Sequence, residues 1–195
     1  MYDDAVLFLG DPAIVVVRTG ERPLVTRPTP ENLLNELSGV ARHFLAESDG
    51  PAHFQEARAL FEIGVARLAA ARASAEDIEQ LRRALEANAA ARGDPARFER
   101  TDVAFHYVLA QITRNPIFVA VHDALVEWLT SQRTISLRAP GAEQAAFQSH
   151  KKIFNAVSAK DPSAAAAAMD AHLKSVVDLI RISMEGDGAT ARGSR

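Results

Sequence analysis

The sequence predicts an all-α protein, an antiparallel bundle of six to seven helices preceded by a short β-hairpin. Three observations predict it. Apolar residues make up 48% of the 195-residue chain while aromatics make up only 6%, and alanine is over-represented. Alanine costs least in a helix and fills narrow helix–helix contacts. From Leu33 onward, apolar residues recur at steps of three and four, the signature of amphipathic helices. Between the periodic stretches stand proline, glycine and Asp/Asn/Ser signals of the kind that stop and restart helices.

Taken in order, residues 13–25 read Ala-Ile-Val-Val-Val-Arg-Thr-Gly-Glu-Arg-Pro-Leu-Val, two β-rich runs about a turn at Gly20. A lone hairpin is marginally stable and has to pack on something. Thr26 to Pro30, with Pro28, reads as a linker, so residues 1–30 form one unit. The first helix carries Leu33, Leu34, Leu37, Val40, Ala41, Phe44 and Leu45 on one stripe, and Asp49-Gly50-Pro51 stops it. A second helix runs over about 52–71, with Ala59, Leu60, Ile63, Ala66, Leu68 and Ala69 as its apolar content. Ser74 is an N-cap candidate followed by Glu76 and Asp77, which opens a third helix at about 75–91. Gly93-Asp94-Pro95 restarts the chain for a fourth helix to about Arg114. Asn115-Pro116 breaks it, and a long fifth helix continues through Trp128 to about Leu137. Pro140-Gly141 ends that one. Helices at about 142–159 and 162–185 follow, separated by Lys160-Asp161-Pro162. Residues 31–185 therefore make the helical domain, and the small, polar residues 186–195 read as a disordered tail.

Composition also bounds the function. The formal net charge of -3 argues against nucleic-acid binding through a general basic surface, though not against a local basic spot. There is no cysteine, which rules out disulfides, thiolate metal sites and cysteine nucleophiles. Any metal must be held by nitrogen and oxygen. No uninterrupted apolar run reaches the roughly 18 residues a membrane span needs. The start, Met-Tyr-Asp-Asp, is acidic and lacks the basic opening of a signal peptide. These features predict a soluble cytoplasmic protein without a membrane partner.

Chemistry concentrates in four residues. Asp102 and His106 lie four apart on the fourth helix, one above the other on the stripe that carries Phe98, Phe105, Leu109 and Ile112. Burying an ionisable pair without partners is expensive, so the placement needs a reason. His150 lies near Phe147, Ile153, Phe154 and Val157 on the sixth helix. His172 is in line with Ala165, Ala168, Met169 and Val176 on the seventh. In an antiparallel bundle such side chains can converge at one depth. Three neutral imidazoles and a carboxylate suit Zn²⁺, Ni²⁺, Mn²⁺ or Fe²⁺, and the lack of thiolate leaves the choice open. An octahedral ion would keep two positions for water or a small chelating anion, whereas a tetrahedral ion would be saturated. The alternative is an internal hydrogen-bonded Asp102–His106 pair and unconnected core histidines. His122 aligns with Phe118, Leu125 and Leu129 and could also face inward, while His43 and His53 read as peripheral.

An ordered series of motifs then resembles a known family. Glu56-Ala-Arg58-Ala-Leu60-Phe-Glu62 with Ala66-x-Leu68-Ala69-Ala70 resembles the opening of the FCD domain, the effector domain of FadR-type GntR transcription regulators. The series continues through Asp102-x-x-Phe105-His106, Asn115-Pro116 and His150-x-x-Ile153-x-x-Ala156-Val157, and it ends with Asp161-x-x-x-Ala165-x-x-x-Met169-x-x-His172. It covers nearly all of residues 31–180. The resemblance implies an antiparallel bundle whose Asp102, His106, His150 and His172 hold one divalent metal, zinc first, with nickel, manganese or iron as alternatives. It also implies a small organic acid beside the metal, a carboxylate or a hydroxy or sugar acid. Arg58 matches the arginine of the family's R-x-x-L-E run and could fork onto the acid's carboxylate. A plain Arg58–Glu62 helix-surface pair is the alternative. Arg133 and Arg138 could approach the pocket mouth or simply be solvated, and Asn115 reads as a helix terminator.

The departure from the family pattern is at the N-terminus. Val17-Arg18-Thr19-Gly20-Glu21-Arg22-Pro23-Leu24-Val25 resembles the wing hairpin of a winged helix-turn-helix, with Glu21-Arg22 in place of the usual basic residue and second glycine. Residues 1–12 show no basic recognition helix. Arg18, Arg22 and Arg27 are the candidate phosphate contacts, and three charges supply only weak, salt-sensitive affinity. The expectation is therefore a ligand-sensing regulatory domain, homodimeric as its family is, with an incomplete DNA-binding head. DNA would be engaged only through a head that is present elsewhere or supplied by a partner. A metal-dependent hydrolase, with Glu62 as the nearest acid to serve as base, is the enzyme alternative. A metal-braced dimerisation module is the structural one.

Overall fold

Alanine-rich faces and proline-marked helix starts shape the fold. The computed structural model describes residues 5–8, 14–17, 22, 24–26 and 29–193. Among them are eight helices: α1 (Pro30–Leu45), α2 (Gly50–Arg72), α3 (Ala75–Ala90), α4 (Pro95–Ile112), α5 (Pro116–Trp128), α6 (Thr130–Arg138), α7 (Ala142–Ser158) and α8 (Pro162–Gly193). Three short strands precede them: β1 (Ala5–Phe8), β2 (Ile14–Val17) and β3 (Leu24–Thr26). They pair antiparallel in the order β1-β2-β3, with Val6 opposite Val16 and Val15 opposite Val25. The expected turn at Gly20, together with Arg18 and Arg27, lies outside the described residues. Arg22 is described and exposed.

Helix boundaries follow local chemistry. Ser74 and Asp77 form a reciprocal capping box at the start of α3, with Ser74 Oγ accepting from Asp77 N and Asp77 Oδ2 accepting from Ser74 N. Asp94, Asn115 and Asp161 accept from backbone N–H groups at the starts of α4, α5 and α8, each just before a proline. Lys160 ends α7 in the left-handed region (φ 54°), which lets Asp161 N donate back to Ala156 O. Gly50 turns the corner between α1 and α2. A Cβ there would sit 1.9 Å from Phe44 O, so only glycine fits the close approach.

The bundle packs α2 and α7 along α8, α3 along α4, and α4 against α2 and α5. Its centre is a cluster containing Leu81, Phe105, Leu109, Ile112, Ile153, Val157 and Met169, all fully enclosed. Ala66, Ala69 and Ala70 on α2 and Ala165 on α8 are completely buried. Such short side chains let α2 and α8 approach closely enough for longer polar groups nearby to meet.

Three differences from the expected architecture matter. The count is eight helices rather than six to seven, because the long fifth helix breaks at Leu129 (φ -100°, ψ 15°) into α5 and α6. Thr130 Oγ1 donates back to Val126 O and Glu127 O, satisfying carbonyls freed at the break. No proline or glycine marks that position, so periodicity alone runs straight through it. The stripe expected on α1 is also only partly used. Ala41 and Ser38 are buried and Trp128 Nε1 donates to Ser38 Oγ at 3.1 Å, but Leu37, Val40 and Phe44 stay about half exposed. α1 lies at the edge of the bundle, against α5 and the start of α2. Finally, α8 extends to Gly193 instead of ending near 185. No proline follows Pro162 to remove a backbone donor.

Asp77 closes the capping box and also accepts twice from Arg114 Nη2, at 2.8 Å each. Replacing Ser74 with alanine should therefore cost about 1 kcal/mol in urea denaturation, and Asp77→Ala should cost more, because it removes both the cap and the link from α3 to the end of α4.

Candidate metal and ligand site

Six helices contribute ionisable side chains to one buried region. α2 supplies Arg58 and Glu62, α4 Asp102 and His106, α5 His122, α6 Arg133, α7 His150 and α8 His172. Every one of these side chains is buried. The four-residue step from Asp102 to His106, and from Arg58 to Glu62, sets each pair on one helix face as expected.

The three histidines converge. One ring nitrogen from each of His106, His150 and His172 lies within 4.8 Å of the others, a grouping that can hold a divalent ion. The ring centroids are 4.9–5.2 Å apart. Asp102 stands beside this group rather than within the same mutual distance: its Oδ1 is 3.4 Å from His150 Nε2. The Nε2 atoms of His106 and His150 are buried without a hydrogen-bond partner. Buried polar atoms are rarely left so. A donor set of neutral imidazoles and a carboxylate fits a borderline divalent cation, and the two orphaned nitrogens are where it would be held.

Burial governs the charge states. It drives His150 down to about 4 against the pull of Asp102, and His122 down to about 4 against the pull of Glu62. His172 is pushed well below the ordinary range by burial, reinforced by its two histidine neighbours. All three rings are therefore neutral near pH 7. Burial would raise the Glu62 carboxyl, but Arg58 and His106 outweigh it and hold it well below the usual range. Arg58 Nε donates to Glu62 Oε1 at 2.6 Å, and His106 Nδ1 lies 2.5 Å from Glu62 Oε2 without an aligned hydrogen bond.

Arg58 thus has the i,i+4 geometry of the alternative weighed from sequence, but the pair is interior, not on the helix surface. Arg133 faces inward too: Nη1 donates to Val126 O at 3.2 Å and Nε sits 4.0 Å from Asp102 Oδ2 without a hydrogen bond. Arg138, His43 and His53 are exposed, and Asn115 caps α5 through Ile117 N at 3.0 Å. Two small cavities of about 10 and 20 Å³ flank the histidines and share Arg58, Asp102 and Arg133 as a common wall. Glu62, His106 and His122 complete the polar lining of one; Ser136 and His172 complete that of the other.

Sequence reasoning passed over Asn88, which is fully enclosed and hydrogen-bonded to His150 Nδ1 at 3.0 Å. Its signal was available. Leu81, Leu85 and Asn88 share one face of α3, and an amide at the end of an apolar stripe asks for a partner.

The low values of the buried rings couple stability to pH. Between about 6.5 and 4 an unfolded histidine binds a proton that the folded ring refuses, so acid favours unfolding. After chelation of metal, stability should be level above about pH 7. It should fall by roughly 1.4 kcal/mol per pH unit per ring as pH drops through that window. Glu62 adds a loss in the same direction below the ordinary carboxylate range. Equal urea midpoints at about pH 5 and pH 7 would contradict neutral buried rings.

Comparison with known proteins places this geometry in a family. Residues 53–175 match the FCD domain model. An HTH-type transcriptional repressor NanR from Klebsiella aerogenes is 42% identical over 180 residues, covering 89% of this chain and 67% of the relative. The NanR repressor of Cronobacter sakazakii is 40% identical over 178 residues, with the same coverage of 89% and 67%. Among solved structures, Streptococcus agalactiae GntR shares the fold with a TM-score of 0.60 at 23% identity, over 83% of this chain and 73% of that one. The chain belongs to the FCD-domain family of GntR-type transcription regulators.

Proposed function

We propose that this chain is the effector-sensing part of a transcriptional repressor. Asp102, His106, His150 and His172 hold one divalent metal, zinc first, and a small carboxylate or hydroxy or sugar acid binds beside it to control DNA binding. One observation carries the reading: imidazole nitrogens from α4, α7 and α8 converge, two of them unpartnered, next to two buried arginines. Charge arithmetic supports the ligand class. Arg58 and Arg133 balance Glu62 and Asp102, and the rings of His122, His150 and His172 are neutral, so a divalent ion leaves the pocket with net positive charge. An anion completes it. The metal supplies a Lewis-acidic position for one oxygen of the acid. Arg58 presents a planar fork to a carboxylate if Glu62 yields, and Arg133 lines both cavities as well.

The enzyme alternative is disfavoured by the state of its base. Glu62 is ion-paired to Arg58 and His106 and held well below the ordinary carboxylate range, which makes it a weak proton acceptor. The relatives' printed names, HTH-type transcriptional repressors, point the same way. In this reading residues 31–185 form the effector domain of a cytoplasmic homodimer. Residues 1–30 are a wing-like unit, with Arg18 and Arg22 toward phosphates. Among the described residues no helix is long and apolar enough to cross a membrane. Effector binding shifts the population of DNA-binding arrangements, which requires unequal affinity for the two states.

Dialysis against a chelator should lower the melting temperature and abolish calorimetric binding of small hydroxy acids, and Asp102→Ala and His172→Ala should reproduce both losses. Unchanged melting and binding in both variants would sink the proposal. Stabilisation by zinc with no response to any acid would instead favour the metal-braced interaction module.

A further inference from the structure

The hydrogen-bond chain that starts at Thr101 has a definite direction. Thr101 Oγ1 has one proton, and it points at backbone carbonyls of its own helix, Phe98 O at 2.9 Å and Arg97 O at 3.1 Å. In this arrangement it accepts from Asn88, whose Nδ2 lies 3.1 Å away. That leaves Asn88 Oδ1 facing His150 Nδ1 at 3.0 Å. An amide oxygen can only accept, so Nδ1 carries the ring proton and Nε2 is bare. The opposite amide orientation would require the Thr101 hydroxyl to leave its carbonyls and donate to the amide oxygen, and would put the ring proton on Nε2, facing Asp102.

The bare Nε2 does not face a donor. It is buried, unpartnered and 3.4 Å from Asp102 Oδ1, so two electron-rich atoms confront each other in the interior. With the ring proton on Nδ1, a cation shared between them makes that approach favourable. Phe105 stacks on the imidazole with centroids 4.5 Å apart and an interplanar angle of 20°, which holds the ring plane.

We propose that Asn88 is the positioning residue that presents the unprotonated Nε2 of His150 to a divalent cation, and that Thr101 dictates the orientation of its amide. This rests on the metal reading above and extends it to a residue on α3 that touches no ion. Asn88 and Thr101 make α3 and the exposed start of α4 part of the metal site's support.

The test uses the whole chain and zinc alone, titrated against a competing chelator, with helix content checked by circular dichroism. Asn88→Leu removes the acceptor and should weaken zinc binding about 10- to 100-fold. Asn88→Asp keeps an acceptor toward Nδ1 and should bind close to wild type. Thr101→Val, at a half-buried position, frees the amide to turn and should fall between them. Nitrogen-15 spectra of the histidine rings in metal-free wild type should place the His150 proton on Nδ1, a readout independent of whether any variant folds. A proton on Nε2 there overturns the inference, as does an Asn88→Asp chain as weak as Asn88→Leu. Zinc binding indifferent to Asn88→Leu overturns this inference alone. A wild type that binds no zinc overturns the metal reading, and this inference with it.

Discussion

Four charged side chains and four imidazoles share the interior of a helical bundle, and the rest of the structure answers to the cost of putting them there. An isolated ion in such surroundings is prohibitively expensive, so each must meet a counter-charge or lose its own charge. Both solutions are used. Arg58 and Glu62 pair directly, Arg133 is drawn toward Asp102, and His122, His150 and His172 stay neutral. What these solutions leave over is specific. The Nε2 atoms of His106 and His150 lack partners, and Arg133 Nε has no hydrogen bond. The leftovers are donors for a cation and a donor for an anion, side by side.

Helix packing makes the convergence attainable. Side chains as long as arginine and histidine meet only if the backbones around them approach closely, and the enclosed alanines of α2 and α8 allow it. The depth at which the groups meet is fixed by where each helix begins. Asp94 and Pro95 set the phase of α4, and with it the face that carries both Asp102 and His106. Asp161 and Pro162 do the same for His172 on α8. Caps that contribute modestly to stability thus decide geometry at a site several turns away.

Much of this was legible in the residues, and the limits have a physical origin. A four-residue step between Asp102 and His106, on the stripe of Phe98 and Leu109, can only mean one inward face. His150 and His172 stand on equally clear stripes. Asn115, Pro140-Gly141 and Asp161-Pro162 mark ends because their side chains or rings act locally on the backbone. Periodicity names a face but not what the face meets. It could not separate Arg133 from Arg138, which lie five apart on one short helix, one buried and one exposed. It gave Leu37, Val40 and Phe44 to a core that does not cover them. Asn88 was readable as a polar group on an apolar stripe, but its partners, thirteen and sixty-two residues away, come only with the fold.

The break at Leu129 is the clearest case of a feature with no local signal and a consequence for the site. Arg133 lies eight residues beyond Leu125 and four beyond Leu129, both buried, and keeps their inward face across the break. Thr130 and Arg133 donate to carbonyls of the last turn of α5, and α6 runs against α8 with Arg133 directed at Asp102. The guanidinium lines both cavities together with Arg58. Under the proposed function, that wall is where a bound acid would meet two planar cations from two helices that both pack along α8. An anion held by both arginines would tie α2 to α6 across the pocket, and would compete with Glu62 for Arg58 in doing so. The energy that couples ligand to helix arrangement would then come from exchanging an internal carboxylate for an external one, a difference between two states rather than a contact added to one.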